Sequence, residues 1–458
     1  MSSLPSTEAG LGTRRSLARI VSASLVGTTI EWYDFFLYAS ASALVFNTLF
    51  FPGADPLTGT LLAFTTYALG FLARPIGGLV FGHYGDKIGR KKLLVVSLLM
   101  MGVATFAIGL LPTYGSIGAA APILLTLLRL VQGFALGGEW GGAVLIVSEH
   151  GGAKRRGFWA SWPQCGAPGG NLLATAVLAI LAAVQSEDAF NAWGWRIPFL
   201  LSAVLVVIGL WVRLSVSESP VFLAARRKAE ETGAAEKAPV VQVFKRSWRE
   251  VLIAIGARIA ENVSYYILTA FILVYVVQSL DLSKSTGLNA VLIASAVHFV
   301  TIPLWGALSD KVGRRPVYLF GAIGMAVWGF VFFAMLDTKS FPVMVIATTI
   351  GLVLHGAMYG PQAAFISELF PTRVRYTGAS ISSQLSSIGA GAVAPLIAVA
   401  LLAAWGSTVA VSLYLLAMCV ITTVALLLSR ETKGTSLEDE PEPAASAEVP
   451  AAETSVTT

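Results

Sequence analysis

Charged residues are scarce in this sequence. Only 12% of its 458 residues are Asp, Glu, Lys or Arg, whereas 55% are hydrophobic. Soluble globular proteins carry about 25% charged residues, so a water-soluble globule of this length would lack the charges to cover its surface. The composition excludes that class and predicts an integral membrane protein.

Cysteine is also nearly absent, and so are the motifs of several enzyme classes. Cys165 and Cys419 both lie in apolar runs, which excludes a disulfide framework and most thiolate metal sites. No phosphate loop of the G-x-x-x-x-G-K-[ST] type occurs, which argues against direct coupling to ATP. His298 and His355 lack a second ligand at metal spacing, and we interpret them as ordinary buried side chains. We expect no catalytic centre, no cofactor and no metal.

Long apolar segments, in contrast, recur along the whole chain. Each spans roughly 20 residues or more, enough to cross a bilayer as a helix. They predict an all-α membrane protein with about twelve transmembrane helices, near residues 20–48, 59–81, 93–112, 120–148, 157–185, 196–216, 250–278, 286–308, 316–336, 341–367, 376–402 and 405–429. The first segment is too long for a cleaved signal peptide, so we interpret it as a retained helix.

Basic residues are distributed unevenly between the two sets of loops. Lys and Arg are concentrated at the termini and in every second loop, whereas the opposite loops offer only Arg196, Lys284 and Lys339. Positive loops mark the cytoplasmic face of a membrane protein. We therefore expect both termini in the cytoplasm and the protein in the inner membrane of the cell. The net charge of +5 is explained by this asymmetry, so we expect no nucleic-acid partner.

Three segments that are predicted to be cytoplasmic occur twice, and the number of residues between the two copies is nearly the same for all three. GHYGDKIGRKK (82–92) returns as GALSDKVGRRP (306–316), and SEHGGAKRR (148–156) returns as SELFPTRVR (367–375). A fainter match joins SES and RET in the loops after each half. The pattern predicts two six-helix halves of parallel topology, with the substrate site between them near mid-membrane. The predicted segments are an N-terminal segment 1–19, a first half 20–216, a cytoplasmic linker 217–249, a second half 250–429 and a disordered acidic tail 430–458.

The same segments carry a family resemblance. The G-x-x-x-D-K-x-G-R-[KR] loop of both halves, with RLVQGFALGGEW (129–140), resembles the signature segments of the major facilitator superfamily. The segments that resemble its metabolite:proton symporter family are EWYDFFLY (31–38), FLARPIGG (71–78), RLSVSESPVF (213–222) and ARIAENVSYYILTAF (257–271). That family includes carriers for shikimate, 2-oxoglutarate, citrate and proline or betaine. The resemblance covers most of the chain and implies proton-coupled uptake by alternating access.

Seven ionisable side chains lie well inside predicted spans. They are the acids Glu31, Asp34, Glu139 and Glu261 and the arginines Arg74, Arg129 and Arg258. Each costs about 2.5 to 3.5 kcal/mol near the bilayer centre, so we expect them to face one another or a wet cavity. Four acids and three arginines leave one carboxylate without an arginine, and burial favours the neutral form of such an acid. An acid that can alternate between neutral and ionised forms is what proton coupling requires.

We assign candidate roles to these residues and their neighbours. The predicted proton-coupling residues are Glu31, Asp34, Arg129 and Glu139, with Glu31 as the preferred carrier. The predicted substrate-binding residues are Arg258, Glu261, Arg74, Gln132, Tyr33 and Tyr265, with Arg258 placed to bind a substrate carboxylate because a guanidinium contacts two oxygens at once.

Structural roles remain open for several of these residues. Arg74 can pair with Asp34 simply to let both helices insert into the membrane. Glu139 can instead support close packing between two helices, which its neighbouring glycines allow. Arg258 and Glu261 are three residues apart on one helix and can satisfy each other.

Charged residues at the cytoplasmic helix ends form a predicted gate. We pair Asp86 with Arg90, Asp310 with Arg314, Glu149 with Arg156, and Glu368 with Arg375. Such pairs and their bonds to helix ends would hold the inner side shut while the outer side is open. Basic loops alone would satisfy topology, but the matched acids in both halves favour a gate.

The function that these features predict is proton-coupled uptake of a small organic acid by a monomeric secondary transporter. Its expected partners are the substrate, protons and the lipid bilayer. Two alternatives share the fold: a symporter of a zwitterionic osmolyte such as proline or betaine, and a proton-driven drug efflux antiporter. The three intramembrane arginines favour a carboxylate substrate over an apolar drug.

Overall fold

The described part of the chain is helical almost throughout. The computed structural model describes residues 6–53, 55–88, 90–137, 147–148, 153–215, 243, 247–371 and 374–435. No β-strand occurs within these ranges. The prediction of an all-α chain is confirmed.

Six helices form the first part of the fold. Helix α1 (Ser6–Ala41) continues through a π-helical turn, Ser42–Phe46, into a short helix, Asn47–Phe50. The next five are α2 (Pro56–Ile88), α3 (Arg90–Leu110), α4 (Ala120–Leu136), α5 (Arg156–Val184) and α6 (Arg196–Ser215).

Six more helices follow residue 247. Helix α7 (Trp248–Ser279) contains two π-helical turns, Ile267–Phe271 and Tyr275–Ser279. Helices α8 (Lys284–Val312), α9 (Arg314–Leu336) and α10 (Phe341–Leu369) come next. Helix α11 consists of Arg375–Ser386, a π-helical turn Ser387–Ala392 and Ala394–Trp405, and α12 is Val409–Leu428.

The lengths and compositions of these helices suit a membrane. Eight of them are long and apolar enough to span it. Helix α6 also qualifies together with the short helical segment Glu187–Gly194, from which it is bent by 44°, and α3 and α4 contain shorter apolar stretches. Large apolar side chains such as Val207, Leu304 and Val327 are more than half exposed, as lipid-facing residues are. The helices fit the predicted count of about twelve.

Several helix boundaries differ from the prediction by a few residues, and the end of α11 is the case with a clear local cause. Helix α11 extends to Trp405, three residues beyond the predicted end, and stops because Gly406 adopts a left-handed conformation with φ +63°. That conformation costs a glycine little and most other residues more. The connection to α12 is therefore only three residues long, and α12 begins at Val409 rather than at residue 405.

The packing of the first six helices is repeated in the last six. Helix α1 packs on α5, α2 on α4 and α3 on α6, and correspondingly α7 packs on α11, α8 on α10 and α9 on α12. The α2–α4 contact is made through backbone, because a Cβ on Gly133 would lie 1.7 Å from the carbonyl oxygen of Gly70. In the second set, a Cβ on Gly360 of α10 would lie 2.6 Å from the carbonyl oxygen of Ile302 of α8.

The two sets of helices meet along a central surface. Helix α5 packs on α8 and α10, and α2 packs on α11. At its centre the Phe36 and Tyr265 rings are 5.2 Å apart, and Tyr266 lies 6.1 Å from Tyr67 and 6.4 Å from Phe71 between ring centroids. This aromatic cluster contacts ionisable groups of both sets, since Phe71 packs on Arg74 and Tyr265 on His355.

Candidate functional site

Arg129 of α4 lies in a cage of aromatic rings. Its guanidinium carbon is 4.5 Å from the centroids of Phe35 and Tyr38 and 4.6 Å from that of Tyr67. Its Nη1 donates to Gln132 Oε1 at 3.0 Å, whereas Nε and Nη2 have no hydrogen-bond partner within the described ranges. The side chain is buried. The cation is stabilised by ring faces and retains donor groups that meet no acceptor in the described part of the chain.

Arg74 of α2 also contacts the Phe35 ring. Its guanidinium carbon is 4.5 Å from the Phe35 centroid and 4.0 Å from that of Phe71. Like Arg129, it is buried, and its Nε and Nη2 lack a hydrogen-bond partner among the described residues. Two neighbouring buried cations repel each other, so together they form a region that favours an anion.

One member of the predicted acid pair of α1, Asp34, lies close to Arg129. Glu31 and Asp34 are both buried. Asp34 lines a small cavity with Arg129 and Gln132, with room for roughly one water molecule, and its Oδ1 has no hydrogen-bond partner in the described part of the chain. Gln132 donates from Nε2 to Thr105 Oγ1 at 2.7 Å on the cavity wall. The structure thus brings together Asp34, Arg129 and Gln132.

Arg258 and Glu261 of α7 are joined through Gln362 of α10. Arg258 Nη1 donates to Gln362 Oε1 at 3.1 Å, and Gln362 Nε2 donates to Glu261 Oε2 at 2.9 Å. Arg258 Nε also donates to Ser386 Oγ at 3.1 Å, and Gln164 Nε2 of the first set of helices reaches Gln362 Oε1 at 3.3 Å. Gln362 was not among the predicted residues, although a glutamine inside an apolar span itself indicates a buried polar contact.

The two histidines were interpreted as ordinary buried residues; the structure places His355 beside Glu261 and His298 beside His355. His355 Nδ1 lies 2.9 Å from His298 Nε2, and His355 Nε2 lies 3.8 Å from Glu261 Oε1. Both imidazoles are at most 1% exposed. The position of each histidine inside an apolar helix was the feature of the sequence that could have identified them as site residues.

The two predicted tyrosines differ in their surroundings. The hydroxyl of Tyr33 donates to the carbonyl oxygen of Pro198 on α6 at 2.8 Å, so this group already serves a contact between helices. The ring of Tyr265 belongs to the central aromatic cluster and lies 4.9 Å from the His355 ring. Its hydroxyl has no hydrogen-bond partner in the described ranges.

At one end of the molecule, Asp310 binds the first turn of a helix from the other set. Its Oδ1 accepts from the Gly157 amide at 2.8 Å and its Oδ2 from the Phe158 amide at 2.9 Å, at the start of α5. Arg314 Nη1 donates to Asp310 Oδ1 at 2.6 Å. A carboxylate at a helix N-terminus satisfies free amides and the helix dipole, so Asp310 connects α8 to α5.

Glu368 of α10 completes this charged end. Its Oε1 accepts from Arg156 Nη1 at 2.8 Å and from Arg314 Nη2 at 3.2 Å, and its Oε2 accepts from Arg314 Nε at 3.2 Å. We call Arg156, Asp310, Arg314 and Glu368 the charged gate. The partner predicted for Glu368 was Arg375, which donates from Nε to the Ser367 carbonyl at 2.8 Å.

Four predicted site residues cannot be placed in this arrangement. The side chains of Asp86 and Arg90, and the residues Glu139 and Glu149 as a whole, lie outside the described residues.

The opposite end of the molecule is also joined across the two sets of helices. Gln278 Nε2 of α7 donates to Thr60 Oγ1 of α2 at 2.8 Å. Lys284 Nζ lies 3.1 Å from Asn191 Oδ1 and 3.1 Å from Glu187 Oε1. Contacts at both ends therefore enclose the central arginines and acids, as a transport pathway with two gates requires.

A comparison with known protein families decides the identity of the fold. Residues 20–442 match the sequence profile of the family described as sugar (and other) transporters. The chain belongs to this transporter family. It is a multi-pass membrane transporter, not an enzyme, as the sequence predicted.

Curated relatives of this family are similar over nearly their whole length. An inner membrane metabolite transport protein of Escherichia coli is 41% identical, covering 92% of this chain and 95% of the relative. The shikimate transporter of Escherichia coli is 39% identical, covering 94% of this chain and 99% of the relative. A proline/betaine transporter of Salmonella typhimurium is 33% identical, covering 92% of this chain and 85% of the relative.

A solved structure confirms the predicted architecture. A crystal structure of a D-xylose-proton symporter superposes with a TM-score of 0.70 at 19% identity, covering 92% of this chain and 99% of that chain. At this identity the similarity shows the fold alone. The predicted major-facilitator fold is confirmed.

Proposed function

We propose that this transporter imports a small organic acid together with protons across the inner membrane, by alternating access. The observation that carries the proposal is the set of four guanidinium nitrogens, Nε and Nη2 of both Arg74 and Arg129, that have no hydrogen-bond partner among the described residues. A buried donor without an acceptor is costly, the more so on a charged group. A bound carboxylate would supply the missing acceptors.

The geometry of the two arginines suits a carboxylate. Both guanidinium groups contact the Phe35 ring, so an anion beside that ring would face donors from α2 and α4 together. Guanidinium and carboxylate form paired hydrogen bonds in one plane. The aromatic faces around them would pack against the carbon skeleton of the substrate.

The chemistry shared by the relatives supports the same substrate class. Shikimate, proline and betaine all carry a carboxylate group, and relatives named for their transport are 39% and 33% identical to this chain. An acid and a zwitterion would both present a carboxylate to Arg74 and Arg129. Either carboxylate would supply acceptors to the Nε and Nη2 donors of the two arginines that have no partner among the described residues.

The charged gate supports a cycle in which the two ends open in turn. Asp310 and Glu368 bind Gly157, Phe158 and Arg156 across the two sets of helices. These contacts must break if the helices separate at this end. We infer that this end is the cytoplasmic one, as its basic loops predict.

The experiment is uptake of labelled organic acids and betaines into proteoliposomes, with and without an imposed pH gradient. We expect accumulation of an acid that depends on the gradient. Arg129→Lys keeps the charge but loses the planar set of donors, and should lower uptake at subsaturating substrate roughly 10- to 100-fold if two charge-assisted hydrogen bonds are weakened. Arg249→Lys, at an exposed position, is the matched control and should transport normally.

Two results would contradict the proposal. Undiminished affinity for the transported acid in Arg129→Lys would remove this arginine from the substrate site. Export of apolar cations driven by pH, without uptake of any acid or betaine, would favour the drug antiporter.

A further inference from the structure

One buried acid of the first set of helices lines a small cavity and meets no hydrogen-bond donor there. Asp34 of α1 is 2% exposed, and its Oδ1 has no hydrogen-bond partner among the described residues. Arg129 and Gln132 of α4 line the same cavity. A buried carboxylate oxygen without a donor is costly, so the cavity suits a ligand group that carries a hydrogen.

The same cavity also offers donors to a ligand. Arg129 Nη1 donates to Gln132 Oε1 at 3.0 Å, whereas Arg129 Nε and Nη2 have no partner in the described part of the chain. A guanidinium group can donate hydrogen bonds but cannot accept them. A ligand group in this cavity would therefore have to donate to Asp34 and accept from Arg129.

A hydroxyl group meets both requirements. It has one hydrogen to donate, and its oxygen has lone pairs that accept. The cavity has room for roughly one water molecule, and a hydroxyl group is of that size. The side chains of Phe35, Met101 and Leu136 line other parts of the cavity, so the carbon that bears the hydroxyl would contact apolar atoms.

We propose that this cavity is a hydroxyl subsite and that the substrate is a hydroxy acid. The proposal rests on the proposed import of an organic acid and narrows its substrate class. Arg74 Nε and Nη2 would pair with the two carboxylate oxygens, and one nitrogen of Arg129 would also donate to the carboxylate. The other nitrogen of Arg129 and the Asp34 carboxylate would bind the hydroxyl. Both guanidinium carbons lie 4.5 Å from the centroid of the Phe35 ring, so the two subsites share this ring.

Other substrate groups fit the cavity less well than a hydroxyl. An ammonium group carries a charge that the Arg129 guanidinium repels, and its three hydrogens exceed the one Asp34 oxygen that lacks a partner among the described residues. A quaternary ammonium group has no hydrogen to donate, and its methyl groups exceed the room for one water molecule. A plain methylene group at this position would leave Asp34 Oδ1 without a hydrogen bond.

The test measures how strongly matched acids compete for exchange in proteoliposomes without a pH gradient. The labelled substrate is the acid that the wild type accumulates in the uptake screen. The unlabelled competitors are pairs that differ by one hydroxyl: lactate and propionate, malate and succinate, citrate and tricarballylate, and 3-hydroxycyclohexanecarboxylate and cyclohexanecarboxylate. In at least one pair, we expect the hydroxy acid to inhibit at a concentration at least about tenfold lower, because it makes a hydrogen bond to a charged group that its partner lacks.

Variants of Asp34 assign this preference to the cavity. Asp34→Ala removes the acceptor, so the ratio between the two inhibitory concentrations should fall toward one. Asp34→Asn keeps an acceptor oxygen without the charge and should give an intermediate ratio; it decides the question if Asp34→Ala does not fold. Asp188→Ala, at an exposed position, is the matched control and should keep the ratio of the wild type.

The ratio also distinguishes this role from the others that Asp34 could have. Exchange without a gradient needs no net movement of protons, so loss of a coupling group would not change the ratio between two acids. A purely structural role would weaken the binding of both members of a pair equally. Only a group that contacts the hydroxyl changes the preference for it.

The outcomes separate this proposal from the proposed function. If the wild type accumulates no acid in the uptake screen, the proposed function itself fails. If it accumulates an acid but prefers the hydroxy member of no pair, the hydroxyl subsite is overturned while import of an acid stands. A preference that persists unchanged in Asp34→Ala and Asp34→Asn would also overturn the subsite, because the hydroxyl would then bind elsewhere.

Discussion

The charged gate allows a quantitative prediction for Asp310→Asn. In the closed arrangement the Asp310 carboxylate accepts amide hydrogens from Gly157 and Phe158 of the other set of helices, and a bond from Arg314 of its own. The two amide contacts exist only while this end is closed. Any free energy that they lose is therefore lost from the closed state alone.

The size of the effect follows from the bonds removed. An asparagine keeps one acceptor oxygen and loses the charge, so about one hydrogen bond to a charged group disappears, worth about 1.5 to 3 kcal/mol. Since 1.4 kcal/mol is a factor of ten, the ratio of open to closed molecules should rise roughly 10- to 150-fold. Asp188→Asn, at an exposed position, is the control and should leave the ratio unchanged.

Spin-label distances across the gate measure this ratio. Lys154 and Lys311 are exposed on opposite sides of the gate, and both can be replaced by cysteine and labelled. The native Cys165 and Cys419 are fully buried and should not react. Asp310→Asn should increase the fraction of long distances. An unchanged distance distribution would refute the view that Asp310 holds this end closed.

Three further predictions concern other parts of the structure. Gly133→Ala should prevent stable insertion or folding, because its Cβ would lie 1.7 Å from a backbone oxygen, whereas Gly115→Ala, with nothing within 4 Å, should express normally. Arg258→Lys should sharply lower acid transport, measured as initial uptake, because lysine cannot keep both the Ser386 and the Gln362 bonds. Glu431→Gln should weaken the cap on two amides of α9 and lower stability by about 1 kcal/mol, measured by unfolding of the purified protein, without changing the spin-label distances.

Much of the fold was predictable because it depends on length and repetition. Apolar runs of sufficient length predict membrane helices whatever their partners are. The repeat of 82–92 at 306–316 predicts two sets of helices, and the packing pairs follow that expectation. The π-helical turns, such as Ser387–Ala392, and the late end of α11 at Trp405 depend on local packing that periodicity does not record.

The candidate site was predictable only in part. Arg129, Asp34 and Arg258 were identified because a charge inside an apolar helix is conspicuous in a sequence. Gln362 and the contact between His298 and His355 were missed, since helix rotation and tertiary packing decide which neutral polar residues meet.

The charged gate was predictable only in part: Asp310 pairs with Arg314 as the sequence suggested, but the partners of Glu368 were not visible in the sequence. The repeat suggested Arg375 for Glu368, because the two residues lie in one loop segment. In the fold Arg156 reaches Glu368 from the other set of helices, and Arg314 reaches it from α9. Such contacts depend on how the two sets of helices face each other.

The measurement that tests the central claim most directly is simultaneous recording of substrate and proton flux. Proteoliposomes with a pH-sensitive dye inside and no imposed gradient receive a labelled organic acid outside. The account predicts that the interior acidifies as the acid enters, that Arg129→Lys reduces both signals together, and that protein-free liposomes show neither. Uptake of the acid by the protein without any acidification would contradict proton-coupled symport.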